Sequence, residues 1–198
     1  RRREGRFTEE AGRFMVVLFP HDRVRIHGYS RLVTDLGRYA TPREFLEALR
    51  ESGWTVRPCG SLDTEGYQIP PLESDAGGRH VMHIYLDGAW YEISRPIADP
   101  TNLIGSLDVS VLQKDILKGM LGISDPRADT RLHYMGGAKP LRELERLVDD
   151  GKYALAVAMQ PVPIETVLAI ADAGGVMPPK STWFEPKLLS GLLVHTID

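Results

Sequence analysis

Near its end the chain sets Lys180, Ser181 and Thr182 directly behind Pro178-Pro179, within a segment, Gly175 to His195, that also carries Lys187. An ammonium and two hydroxyls on a loop stiffened by two prolines suit the oxygens of an anion such as phosphate. A rigid connector into a last strand would explain the prolines equally well, so the loop is read as one or the other. Two further groups suit phosphate. Gly136-Gly137 follows a strand-like stretch and precedes a helix opened by Pro140, where free N–H groups and the helix dipole attract anions. Asp125, Arg127, Asp129 and Arg131 alternate in a loop, offering a cation ligand in Asp129 and a phosphate clamp in Arg131. Glycine pairs also serve simply as turns, and alternating Asp/Arg loops are commonly solvated ion pairs.

Other chemistries find less support. There is no Walker A sequence, no G-x-G-x-x-G and no G-x-S-x-G elbow. Cys59 is the one cysteine, which removes intrachain disulfides and thiolate metal clusters and fits a reducing cytoplasm. His80 and His83 stand three apart in a predicted strand and so face opposite ways, which makes them poor joint metal ligands. The other histidines form no spacing motif. A net charge of −3 gives no global attraction to nucleic acid or an anionic membrane, so direct nucleic-acid binding is not expected. No apolar run approaches the ~18 residues of a membrane span. The opening Arg1 to Arg6 lacks the apolar core of a signal peptide and reads as the tail of a helix in progress.

The elements that would position these residues read as follows. "RFMVVLFP", Arg13 to Pro20, is a continuous apolar run expected to be a strand buried on both faces; "RVRIHGYSRLV" follows as a more exposed strand. Thr41, Pro42 and Glu44 give a capping box for a helix carrying Phe45, Leu46 and Leu49, ended by Gly53. A short strand is expected over 54–58 and a mobile loop over 60–78. Asp87-Gly88 is the type I′ turn of a hairpin. Ser106 caps a helix through Met120, and 131–159 is a compact βαβ unit. A last helix runs from Ile164 to Ala173, and "GLLVH" is expected to be the final strand. The fold class is α+β, or α/β with a mixed sheet, in one compact domain over 1–198.

The blocks "SLDVSVLQKDIL", "GISDPRADTRLHYMGG" and "MPPKSTWFEPKLLSGLLVH", with "VVLFPHDRVRIHGYSRLVTDL" and "YLDGAWYEI", resemble the bacterial and archaeal family called domain of unknown function 1015. Members of that family are longer and carry an upstream Gly-His-His-Arg motif similar to that of the ParB and sulfiredoxin-like fold. This chain has no such motif and looks like the C-terminal portion of a member, whose upstream half would be its partner. The resemblance implies a protein that handles a phosphate or a nucleotide, ATP or ADP with magnesium, and contributes to phosphoryl transfer to a small hydroxylated metabolite. In that reading Lys180 and Asp129 act in catalysis. Ser181, Thr182, Gly136, Gly137, Arg131, Lys187 and Arg31 bind ligand, and Asp108 or Asp129 holds magnesium. Arg31 enters because the family's Tyr-Asn-Arg reads Tyr29-Ser30-Arg31 here. The family's Ser or Thr before the helix at 164 is replaced by Val162-Pro163, which removes a cap. The alternatives are a ParB-like nucleotide-responsive regulator associated with DNA, and a non-catalytic scaffold.

Overall fold

The computed structural model describes residues 9–60, 62–70, 72, 77–189 and 191–196. Contacts divide the chain into a large unit, Ile26–Trp183, and a smaller one drawn from residues up to Arg25 and from Phe184 on. The tail read over Arg1 to Arg6 lies outside the described residues.

The large unit is built on a six-stranded sheet. Its strands are β2 (Ser30–Val33), β3 (Thr55–Pro58), β4 (Arg79–Leu86), β5 (Ala89–Pro96), β6 (Leu132–Met135) and β7 (Leu155–Ala158), in the order β3-β5-β4-β7-β2-β6. Two short strands, β1 (Arg25–His27) and β8 (Trp183–Glu185), stand outside it. Every neighbouring pair of the six-stranded sheet is antiparallel, so the class is α+β. The expected βαβ unit is split. β6 and β7 both run antiparallel to β2, which lies between them, and α3 (Arg142–Asp149) makes the crossover. Sequence order places β6 and β7 beside the same helix, but the second strand of the chain takes the slot between them.

The β4–β5 hairpin forms as expected. Asp87 and Gly88 take φ of 51° and 74°, the left-handed pair that a two-residue type I′ turn needs. Pleating then sorts β4: Met82, Ile84 and Leu86 enter one apolar cluster, Tyr85 the other. The first cluster is closed by α1 (Pro42–Glu51) through Phe45, Leu46 and Leu49, and by a helix that begins as α2 (Asp108–Val111) and continues as a π-helix over Leu112–Lys118. Leu141 and Leu144 of the α3 segment cover the opposite face. Thr41 caps α1, its hydroxyl accepting from the Glu44 amide at 3.2 Å, while the Glu44 carboxylate accepts from the Ala40 amide at 2.9 Å. α4 (Ile164–Asp172) starts at Pro163 with no side-chain cap, as Val162-Pro163 led us to expect.

Several expectations fail. "RFMVVLFP" belongs to no strand, and its side chains are open to solvent, Phe14 at 82% and Leu18 at 89%. A strand apolar on both faces needs sheet neighbours and covering layers, and the described residues of the small unit give it neither. "GLLVH" likewise forms no strand, and Leu192, Leu193 and Val194 are exposed. "RVRIHGYSRLV" breaks at Gly28-Tyr29 into β1 and β2, and β2 is buried throughout. A Cβ on Gly28 would lie 2.0 Å from the Met159 carbonyl oxygen, so that close approach fixes the break. Ser106 does not cap α2, whose N-cap is Leu107; its hydroxyl faces the Leu103 carbonyl instead. The 60–78 stretch is tied down where it is described. Ile69 is buried, Thr64 Oγ1 donates to Glu145, and Gln160 Nε2 donates to the Ile69 carbonyl.

Candidate anion-binding site

Within the large unit a cavity of about 270 Å³ opens where β2 begins and β7 ends. Arg31 of β2 lines it, with Met159 to Pro163 leading from β7 into α4, Thr166 in the first turn of α4, Ser106 to Val109 around the start of α2, and Ser181. β2 is paired on both sides, with β7 and with the edge strand β6, and only 3% of Arg31 is exposed.

A guanidinium so placed has lost most of its hydration and needs compensation. Its Nη1 donates to the Tyr29 carbonyl and its Nη2 to the Lys180 carbonyl at 3.0 Å, and the Tyr134 ring lies 5.2 Å from its Cζ. Among the described residues no carboxylate stands in ion-pair range of it. Burial pulls its pKa down to about 10, which leaves it charged near neutrality. Two carbonyl dipoles and a ring face solvate a cation without neutralising it. Asp108, the carboxylate on the cavity wall, is turned to His80, with Oδ1 2.8 Å from Nδ1.

The α4 terminus strengthens the same sign of field. No side chain caps its first turn, and its bonds begin with the amides of Thr166 and Val167, both to the Pro163 carbonyl. The N–H groups before them, those of Ile164 and Glu165, carry the positive end of the helix dipole, and their neighbours Pro161, Val162, Pro163 and Thr166 are on the cavity wall, with the Glu165 carboxylate in the same turn. A buried cation with no carboxylate in ion-pair range among the described residues, an uncapped nine-residue helix and the hydroxyl residues Thr166, Ser106 and Ser181 thus surround one space. That combination suits a compact anion.

The sequence-selected residues divide sharply around this cavity. Arg31, Ser181 and Asp108 line it. Ser181 is tied back, its Oγ donating to the Pro178 carbonyl at 2.6 Å, and this closes a turn in which Lys180 takes φ of 60°. The turn aims the Lys180 carbonyl at Arg31, while the Lys180 ammonium lies 5.2 Å from the Tyr29 ring centroid. Lys180 therefore acts through its backbone; its charge is not on the lining. Thr182 is half-buried beside the same turn and also off the lining.

Gly136-Gly137 is not an anion cradle. A Cβ on Gly136 would meet the rings of Trp183 and Tyr29 at 2.5 Å, so the pair exists to admit those rings. The amides entering α3 are already spent: Leu141 N–H donates to the Gly66 carbonyl at 2.9 Å and Arg142 N–H to that of Thr64 at 3.0 Å. Asp129 and Arg131 satisfy each other, with Arg131 Nη2 at 2.8 Å from Oδ2 and Nε at 3.1 Å from Oδ1, and the carboxyl is held below its usual range by those bonds. Arg131 also donates to the Leu121 carbonyl, at the Val33 end of β2, away from the cavity. Among the described residues no group of three His, Cys, Asp or Glu is arranged to hold a metal ion, and neither Asp129 nor Asp108 joins one. Lys187 belongs to the small unit. Burial, with Glu92 nearby, pushes the Cys59 thiol up to about 11, which leaves it a poor nucleophile.

His80 was not among the selected residues. Its face was readable, since alternation sends His80 and His83 to opposite sides of β4, but nothing in sequence shows a carboxylate 28 positions away folding against it.

The chain is similar to a solved free serine kinase mutant in complex with AMP, at 17% identity and a TM-score of 0.44, covering 83% of this chain and 55% of that one. The complex of that kinase with ADP gives 17% identity and a TM-score of 0.43 over the same shares. A conserved hypothetical protein from Pyrococcus furiosus gives 16% and 0.44, over 85% of this chain and 60% of its own. The chain thus spans little more than half the length of these proteins. No curated protein matches it. The profile of one protein family matches residues 1–110, stopping short of the C-terminal blocks on which part of the sequence resemblance rests.

Proposed function

That family is the one described as "Protein of unknown function (DUF1015)", this chain belongs to it, and we propose that the chain binds a phosphate-bearing small molecule, a nucleotide in the leading case, in the cavity at Arg31. The observation that carries the reading is the buried Arg31 guanidinium, charged and without a carboxylate partner among the described residues, on the wall of a cavity beside the uncapped start of α4. Guanidinium forks and helix N-termini both recognise phosphate oxygens. In the finer form of the proposal the bound nucleotide gives up its terminal phosphoryl group to a small hydroxylated metabolite, with Arg31 balancing charge on the transferred group.

The test is thermal unfolding with ATP, ADP or AMP plus magnesium, and with inorganic phosphate and pyrophosphate, against adenosine as the uncharged control. Saturation at about 100 times the dissociation constant stabilises the fold by ~2.7 kcal/mol, which for a chain of this size raises Tm by about 5–10 °C. The phosphorylated ligands are expected to give that rise in wild type and none in Arg31→Met. No rise with any of them in the wild-type protein, or an equal rise in Arg31→Met, refutes the reading.

A further inference from the structure

A second cavity of about 650 Å³ adjoins the first, with Ile97 and Ser106 on the walls of both. Between the two stands the His80–Asp108 pair: Asp108 lines the first cavity and His80 the second. His80 lies on β4, only 4% exposed, with Nδ1 2.8 Å from Asp108 Oδ1. Among the described residues Asp108 is its one recorded partner. Nε2 makes no hydrogen bond among the described residues, and His80 is on the wall of the second cavity. Polar side chains line that space, including Ser110, Asn102 and Lys114.

A carboxylate that accepts the Nδ1–H of an imidazole fixes the tautomer with its lone pair on Nε2 and stabilises the imidazolium formed when Nε2 takes a proton. A buried His–Asp pair can also serve only to tie a helix to a strand. Such a tie has no use for an unbonded Nε2 on the wall of a polar cavity, and none for a position at the border of an anion site.

We propose that the second cavity takes a hydroxyl-bearing acceptor and that His80 is its general base, with Asp108 as the positioning residue; this rests on the first cavity being the phosphate site. In the step, the acceptor O–H gives its proton to His80 Nε2 as its oxygen bonds to the terminal phosphorus of a nucleoside triphosphate. The bond from that phosphorus to the bridging oxygen breaks, the nucleoside diphosphate leaves with the electron pair, and the imidazolium returns its proton to solvent.

The experiment separates binding from turnover on the full chain. ATP with magnesium is titrated calorimetrically, and 31P NMR follows ATP consumption with water or glycerol as acceptor. His80→Ala is expected to bind ATP as wild type does and to lose about 10²–10⁴-fold in turnover, as removal of a general base does. Imidazole added to the solution restores part of the rate, a recovery that a merely structural histidine would not show. Should His80→Ala fail to fold, His80→Gln carries the same turnover comparison. The 15N spectrum of the histidines shows His80 protonated on Nδ1 in wild type, and Asp108→Asn abolishes that preference. A His80 variant that turns over at the wild-type rate overturns the proposal. So does a wild-type protein that binds ATP but passes phosphate to neither acceptor, and in that case the reading of the first cavity stands. A wild-type protein that binds no nucleotide removes both.

Discussion

At the scale of the residue, function and stability pull on Arg31 in opposite directions. Replacing it with Met relieves the desolvation of a lone buried charge but leaves the Tyr29 and Lys180 carbonyls without their donor. The two effects offset, so chemical denaturation should find Arg31→Met within about 2 kcal/mol of wild type in the absence of ligand. A loss well beyond that would make Arg31 a structural tie for the 178–181 turn rather than a ligand group. This residue also shows how far sequence reaches. Ser181 was legible because a hydroxyl suits an anion, and Arg31 through the family's Tyr-Asn-Arg, and both line the cavity. Lys180 was legible too, but which of its groups faces the site depends on a left-handed backbone angle and on Tyr29, at a distance in the chain. Asp129 and Arg131 looked available because alternation does not show that two neighbours satisfy each other.

At the scale of the element, local signals were reliable where local chemistry decides. Thr41 with Pro42 and Glu44 sets the start of α1, and Asp87-Gly88 sets the hairpin. Thr41→Ala should cost about 1 kcal/mol, read as a shift in denaturation midpoint at constant slope. An unchanged midpoint would mean that Pro42 and the Glu44 bond to Ala40 hold the terminus alone. The α4 start makes the opposite case, a terminus left without a cap on the wall of a cavity. Pro163→Ser supplies a hydroxyl to the amides that we assign to the ligand and should weaken phosphate-ligand binding several-fold in a calorimetric titration; binding at full strength would remove α4 from the site. Elements defined by their neighbours were not legible. "RFMVVLFP" and "GLLVH" have strand composition, yet a strand exists only where another pairs with it. The βαβ unit was read with its two strands adjacent, whereas long-range pairing inserts β2 between them.

At the scale of the whole molecule, the antiparallel sheet with helices on both faces encloses groups whose charge state is linked to stability. His83 is fully buried, and burial holds its pKa down to about 4, while the Glu92 oxygen 3.8 Å away accepts from the Leu72 amide. Its folded pKa lies below the ordinary value of 6.5, so the unfolded chain binds the proton first as pH falls. Stability contributed by the neutral form is present above about pH 6.5 and is lost between there and about 4. Acid denaturation should therefore steepen across that window in wild type and flatten in His83→Gln; equal slopes would contradict the burial argument. The central claim concerns the cavity itself, and calorimetric titration with inorganic pyrophosphate tests it most directly, using wild type, Arg31→Met and Lys180→Ala. The structure predicts one site per chain in wild type and in Lys180→Ala, where the backbone carbonyl persists, and none in Arg31→Met. Undiminished binding by Arg31→Met would contradict the account.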